Sequence, residues 1–172
     1  KESQKHPNNI VYNELLAWYF TAVNDFNSAF IQVRAVDKKA NAKGAKLLEF
    51  GESCFVNESY DVALKSYNQI ILNYPQTKLS GQAKARKLKT LKAKLLSGVN
   101  VNEDQLILLK ENYTNTIEEI KKYFKSYQTD RRYLDAIRGL ADLEAYYLHD
   151  YKGAEDLLKN IWREPEIIAE LS

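Results

Sequence analysis

The chain has 172 residues, of which 45% are hydrophobic and 28% are charged, and its formal net charge at pH 7 is +2. A chain of this size can bury a core without disulfide bridges or structural metals, so neither a disulfide-built miniature fold nor a disordered tail is expected. Six glycines and three prolines are too few for an all-β sandwich or barrel, which needs turn residues about every ten positions.

Apolar residues recur at helical spacing along most of the chain, and short polar turns separate the helical segments. Two of the turns are Asn24-Asp25 and Glu58-Ser59. Pro75 ends the fourth helix, and Asn102 caps the long helix that begins at residue 103. In chain order the pattern predicts helices over residues 9–23, 26–39, 42–57, 60–74, 79–96, 103–127, 130–149 and 151–162, with a further helix starting at 164. The predicted fold class is all-α with about eight helices, in one domain over residues 1–172.

The sequence also repeats itself. Ala17, Phe26 and Ala29 recur 34 positions later as Gly51, Tyr60 and Ala63. A 34-residue period is typical of a repeated helix-turn-helix unit, in which small residues let the two helices of a pair approach closely. We therefore expect Ala29 and Ala63 to be buried where paired helices cross. The predicted pairs are 9–41, 42–75, 79–127 and 130–163, and residues 164–172 begin another.

The second predicted helix pair, over residues 42–75, matches one repeat signature position by position. The matching residues are Leu47, Phe50, Gly51, Cys54, Tyr60, Ala63, Tyr67, Ile70 and Pro75. On these residues the chain resembles tetratricopeptide-repeat (TPR) proteins. Asn41 stands where the first repeat would normally end in proline. A later pair keeps Tyr151 and Ala154, but Ala154 follows Ala63 by 91 positions, which is not a multiple of 34. The order of helices is similar to the middle portion of long TPR proteins of the Bacteroidetes cell envelope.

The resemblance implies a right-handed α-solenoid of antiparallel helix pairs that is a portion of a longer array. It also implies a protein-protein interaction scaffold that binds a peptide or partner protein on its concave face, and it favours the bacterial periplasm or cell envelope. The family's groove positions fall here on Glu14, Trp18, Thr21, Leu48, Glu52, Phe55, Gln82, Arg86 and Lys89. Glu14 and Trp18 replace two residues of the clamp that some TPR domains use for a peptide carboxylate. For Trp18, packing in the core against a neighbouring repeat is the favoured alternative.

A basic helix over residues 84–94 is the main feature that points to another class of partner. Its cations are Lys84, Arg86, Lys87, Lys89, Lys92 and Lys94. One interpretation is a docking strip for nucleic acid, anionic lipid or an acidic peptide, and a nucleic-acid-binding helical repeat that uses this strip is the alternative function. We favour a solvated face balanced by acids on the next helix, because aromatic residues do not alternate with the cations as in a single-strand binder. Those acids are Glu103, Asp104, Glu111, Glu118 and Glu119.

The residues that usually carry catalysis or bind cofactors are sparse. Cys54 is the one cysteine and lies in an apolar helical pattern, which predicts an inert buried thiol. His6 and His149 have no second histidine or cysteine at ligand spacing, and the glycines do not form a phosphate-binding loop. We therefore expect no enzyme activity and no metal or cofactor. The longest apolar stretch without a charge, residues 15–23, falls short of the roughly 18 residues that predict a membrane span.

The C-terminal part is predicted to expose an apolar surface. Leu157, Leu158, Ile161 and Trp162 share the last complete helix, and Ile167 begins the apolar part of a helix without a second member. Because a solenoid buries each repeat against its neighbours, we expect weak self-association through this end.

Overall fold

A computed structural model describes residues 9–98, 102–123 and 125–162. Its helices are α1 (Ile10–Ala22), α2 (Phe26–Lys39), α3 (Ala45–Val56), α4 (Tyr60–Asn73), α5 (Lys78–Leu96), α6 (Glu103–Tyr123), α7 (Arg131–Tyr146) and α8 (Tyr151–Trp162), with one 3-10 turn at Tyr127–Thr129. These ranges contain no strand. The prediction of an all-α chain with about eight helices is confirmed, and the helix predicted from residue 164 falls outside the described residues.

Most predicted boundaries agree with the structure to within one residue, and three differ by more. The helix predicted to end at residue 149 ends at Tyr146. The predicted ranges of α2 and α8 match residue for residue. The start of α3 was predicted at Ala42, but Lys43 and Gly44 have φ values of +51° and +98°, so the helix begins only at Ala45. The end of α6 was predicted at Tyr127, but the helix ends at Tyr123 and Tyr127 opens the 3-10 turn.

Asp37 explains why α3 begins where it does. Its fully buried carboxylate accepts hydrogen bonds from the Gly44 amide at 3.1 and 3.0 Å and from the Lys46 amide at 3.1 Å. These amides belong to the first turn of α3, where backbone donors have no partner within the helix. A residue of α2 therefore caps α3, and the buried charge is compensated by backbone donors and by the positive end of the helix dipole.

The 34-residue period is visible in the backbone of two turns. Asn24 follows α1 and Glu58 follows α3, and both adopt the left-handed conformation, with φ of +59° and +57°. Each donates its amide to the carbonyl three positions earlier at 3.1 Å, and the next residue donates to the carbonyl five positions earlier at 2.8 Å. This is the Schellman pattern of helix ends. The two turns therefore have the same hydrogen bonding, one repeat apart.

Contacts between Cα atoms divide the chain into two compact units, residues 1–90 (unit 1) and 91–172 (unit 2). The division falls inside α5, so the predicted pair 79–127 is shared between the units. The single domain predicted over residues 1–172 stays a prediction. No helix of the described part is both long and apolar enough to span a membrane.

In unit 1, α1 packs on α2, α2 on α3, and α3 on α4. Ala29 and Ala63 are completely buried, as their 34-residue spacing predicts. Gly51 lies so close to the buried Tyr67 that a Cβ atom on the glycine would be 2.6 Å from the ring carbon Cε1. The core contains Phe26, Ala29, Leu47, Phe50, Cys54, Val62, Ala63, Tyr67, Ile70 and Ala83.

In unit 2, α7 packs against both α6 and α8. Here too a glycine lies under a tyrosine ring, because a Cβ atom on Gly139 would be 2.7 Å from Tyr113 Cε1. Burial, and secondarily the charge of Asp142, raise the pKa of Tyr113 to about 12. On α8, Ile161 is buried and Leu158 is 37% exposed. The side chain of Trp162 and residues 163–172 fall outside the described residues, so self-association through this end stays a prediction.

Cys54 should resist modification in the folded chain. Its side chain is fully buried, and burial raises the pKa of the thiol from 9.0 to about 12. At pH 8 the reactive thiolate fraction is then about 10⁻⁴ in the folded chain and about 10⁻¹ in the unfolded chain. We expect iodoacetamide, followed by mass spectrometry, to label Cys54 at least about a hundredfold more slowly in native buffer than in guanidinium. Equal labelling rates in the two conditions would show that the thiol is accessible.

Candidate functional site

The nine residues that the sequence assigns to a groove lie on α1, α3 and α5, three on each helix. Residues at corresponding places on these helices are 34 positions apart, as Trp18, Glu52 and Arg86 illustrate. All nine belong to unit 1. We call the faces of the three helices that carry them the odd-helix surface.

Two contacts join α3 to α5 within this surface. The Arg86 guanidinium forms an ion pair with Glu52, with 3.0 Å between Nε and Oε1. The Lys89 ammonium lies 5.1 Å from the centroid of the Phe55 ring, within the range of a cation–π interaction. Each contact joins residues 34 positions apart. Side chains that the 34-residue period identifies as equivalent are therefore in contact between α3 and α5.

A hollow of about 200 Å³, the α3–α5 hollow, opens between these helices. Four of the predicted residues line it, namely Glu52, Phe55, Arg86 and Lys89, together with Val56, Tyr67 and Thr90. The sequence reasoning missed the last three. The 34-residue spacing identifies equivalent positions on odd helices, whereas Tyr67 comes from α4 and reaches the hollow because it packs over Gly51.

The lining of the α3–α5 hollow combines buried hydroxyl-bearing side chains with more exposed apolar and charged ones. Tyr67 and Thr90 are almost completely buried, while Val56 is 77% exposed. Burial, and secondarily the nearby charge of Glu52, raise the pKa of Tyr67 to about 12. The phenol is therefore neutral at physiological pH, and the charges of the lining are those of Glu52, Arg86 and Lys89.

A second hollow of about 300 Å³, the α1–α3 hollow, involves only one predicted residue, Glu14. The others in its lining are Ala17, Val33, Val36, Lys46, Glu49 and Phe50. Lys46 and Glu49 form an exposed ion pair, with 3.7 Å between Nζ and Oε2. The α1–α3 hollow therefore has an apolar lining and charges of both signs.

The remaining predicted groove residues line neither hollow. The Thr21 hydroxyl donates to the Ala17 carbonyl at 2.8 Å within α1, and Leu48 packs partly buried against the core. Gln82 is half-buried. Trp18 is 72% exposed, so the favoured alternative of a core residue is wrong for the described chain.

The exposed face of α1 differs chemically from the equivalent face of α3. Leu15 and Tyr19, one turn apart, are 61% and 54% exposed, and Trp18 lies beside them. Their counterparts one repeat later are Glu49, Glu52 and Ser53. The group formed by Leu15, Trp18 and Tyr19 on α1 is thus apolar, whereas the three equivalent positions on α3 are polar. Single exposed apolar side chains are common on protein surfaces, whereas these three lie on neighbouring positions of one helix.

Two cations of the basic helix pair with acids that the sequence did not indicate. Arg86 binds Glu52 on α3, and Lys92 Nζ lies 3.2 Å from Asp142 Oδ2 on α7. The expected partners were on the next helix, α6. For Arg86 and Lys92 that prediction is wrong, because the balancing acids come from helices distant in sequence.

Unit 2 contains a buried glutamate, Glu144, whose carboxylate pairs with a lysine. Lys110 Nζ lies 2.8 Å from Glu144 Oε1 and 4.0 Å from Asp150 Oδ2. Glu144 is almost completely buried, and this pair offsets part of the cost of placing its charge away from water, while Oε2 is buried without a hydrogen-bond partner in the described residues. Within the described ranges, no three His, Cys, Asp or Glu side chains are grouped as a metal site requires.

Comparison of the sequence with models of known protein families and with curated proteins finds no match. The geometry of the chain itself therefore has to indicate what it binds.

The Glu52–Arg86 pair should contribute little to folding. The two side chains are 44% and 48% exposed, and exposed pairs typically contribute about 0.2–1 kcal/mol. We expect a double-mutant cycle with Glu52→Gln and Arg86→Gln to give a coupling energy in that range, decreasing as salt is raised. Urea unfolding would measure it. A coupling above about 2 kcal/mol that salt does not reduce would mean that the pair holds the helices together.

Proposed function

We propose that this chain is a non-enzymatic interaction scaffold that binds a peptide or partner protein on the odd-helix surface. In this proposal its helix pairs are antiparallel and stack as a right-handed, TPR-like solenoid. The observation that carries the proposal is the pair of contacts Glu52–Arg86 and Phe55–Lys89, because both join residues 34 positions apart. Equivalent faces of successive first helices then form one continuous surface.

Features of the interior support the repeat architecture. The turns at Asn24 and Glu58 have the same hydrogen-bond pattern, and Ala29 and Ala63 are fully buried. A small residue also recurs at each 34-residue step, at Ala17, Gly51 and Ala85. A period present in turns, in helix crossings and in small residues is what a solenoid of identical units requires.

The character of the surface supports a macromolecular partner. Pockets for small molecules typically enclose about 300–1,000 Å³, and the two hollows, of about 200 and 300 Å³, lie below this range and at its lower limit. They are large enough for single side chains. Tryptophan, tyrosine and arginine are enriched among residues that dominate protein interfaces, and Trp18, Tyr19 and Arg86 lie on this surface.

Nucleic acid is the second candidate, through the basic helix over residues 84–94. The ion pairs of Arg86 and Lys92 count against it, because both cations already face carboxylates. Location in a bacterial periplasm or envelope, and membership of a longer array, follow from the TPR resemblance and are part of the proposal.

Selection of peptides from a displayed random library against the whole chain would test the proposal. We expect the enriched peptides to lose at least about fivefold in affinity on Trp18→Ala, because truncating an aromatic anchor commonly costs more than about 1 kcal/mol. Tyr146→Ala is the matched control, since Tyr146 is a similarly exposed aromatic on unit 2. Both variants should unfold at the same urea concentration as the parent chain.

Two results would overturn the proposal. One is a set of peptides that bind the parent and Trp18→Ala equally well. The other is the absence of enriched peptides together with tight binding of a thymidine oligonucleotide that weakens steeply as salt rises, which is the behaviour of phosphate contacts.

A further inference from the structure

Building on the proposed function, we propose that the α3–α5 hollow recognises an acidic segment of the partner. An aliphatic side chain of that segment enters the hollow, and a neighbouring Asp or Glu carboxylate pairs with Lys89. The partner then presents an apolar and an acidic side chain to one position of the odd-helix surface.

The charges of the lining leave one cation available. The hollow is lined by Arg86, Lys89 and a single acid, Glu52. The Arg86 guanidinium is already paired with Glu52 at 3.0 Å. In the part of the chain that the structure describes, Lys89 contacts the Phe55 ring and has no carboxylate within ion-pair distance. The ammonium of Lys89 is thus exposed beside an apolar hollow without an anionic partner.

The apolar part of the hollow lies directly next to this cation. Phe55 and Val56 form its wall, Tyr67 lies beneath, and the space of about 200 Å³ suits one side chain. Lys89 Nζ is only 5.1 Å from the Phe55 ring centroid. The two groups of the partner must therefore be close in its sequence, since residues two apart on an extended strand lie about 7 Å from each other on the same face.

A side-chain carboxylate fits this site better than a chain terminus or a phosphate. Tight capture of a terminal carboxylate uses several converging donors, and here one lysine is available because Arg86 is engaged. Stacking of a nucleic-acid base needs a free aromatic face, and Lys89 covers one face of Phe55. One cation above an apolar wall therefore favours an acidic residue within a peptide.

The test compares three pools of acetylated and amidated peptides that share random flanks around a fixed Leu-X-Glu, Leu-X-Gln or Leu-X-Lys core. Fluorescence anisotropy of labelled pools measures their binding to the whole chain. We expect the Glu pool to bind about two- to fivefold more tightly than the Gln pool, and the Lys pool most weakly. Lys89→Met keeps an apolar stem over Phe55 and should abolish the difference between the Glu and Gln pools.

Charge reversal makes the test specific. Lys89→Glu should reverse the order, so that the Lys pool binds better than the Glu pool. Lys38→Glu is the matched control, because Lys38 is exposed on α2, and it should leave the order unchanged. Equal binding of the pools to the parent chain would overturn the inference and leave the proposed function standing if Trp18→Ala still weakens selected peptides.

Two further binding measurements test a terminal carboxylate and a nucleic-acid phosphate as the source of negative charge. Pools with a free C-terminal carboxylate should bind no better than the amidated pools. A thymidine oligonucleotide should not compete with the Glu pool at physiological salt. Tighter binding of the free-carboxylate pools, or effective competition by the oligonucleotide, would overturn the assignment of a side-chain carboxylate.

Discussion

The close approach of α3 and α4 at Gly51 is the constraint on which the rest of unit 1 depends. Because Gly51 has no side chain, the Tyr67 ring can lie where a Cβ atom would be 2.6 Å from it. Tyr67 then fills the core on one side and forms the base of the α3–α5 hollow on the other. The candidate binding surface is therefore shaped by an interaction inside the helix pair, and a change at Gly51 should affect both.

Unit 2 uses the same contact between a glycine and a tyrosine with different residues. Gly139 on α7 lies under Tyr113 of α6. Gly139 follows Gly51 by 88 positions, which does not continue the period of 34. The two units therefore share a physical means of bringing helices together, while the strict repeat is a property of residues 9–90. The Lys110–Glu144 pair, in which the carboxylate is buried, has no counterpart among the ion pairs described for unit 1, whose acids are exposed.

Periodicity in the sequence was sufficient to predict the helices, and the resemblance to TPR proteins assigned the nine groove residues, which lie on α1, α3 and α5. Periodicity could not predict the features that depend on which elements meet in space. Asp37 caps α3 from another helix, and Tyr67 enters the hollow from α4, so neither has a signal at a fixed spacing. For Trp18, packing in the core against a neighbouring repeat was the favoured alternative to a groove position, but its side chain is 72% exposed because no described element packs over it. The acids that pair with Arg86 and Lys92 were likewise assigned by nearness in sequence.

Chemical denaturation of Gly51→Ala tests the central claim most directly. Alanine in place of glycine within a helix should by itself stabilise the chain by about 1 kcal/mol. If the Tyr67 ring occupies the space beside Gly51, the variant should instead lose about 1–3 kcal/mol of unfolding free energy, and Tyr67→Leu in the same chain should reduce that loss. A Gly51→Ala chain that is more stable than the parent would contradict the claim, because it would show that the two helices do not approach closely there.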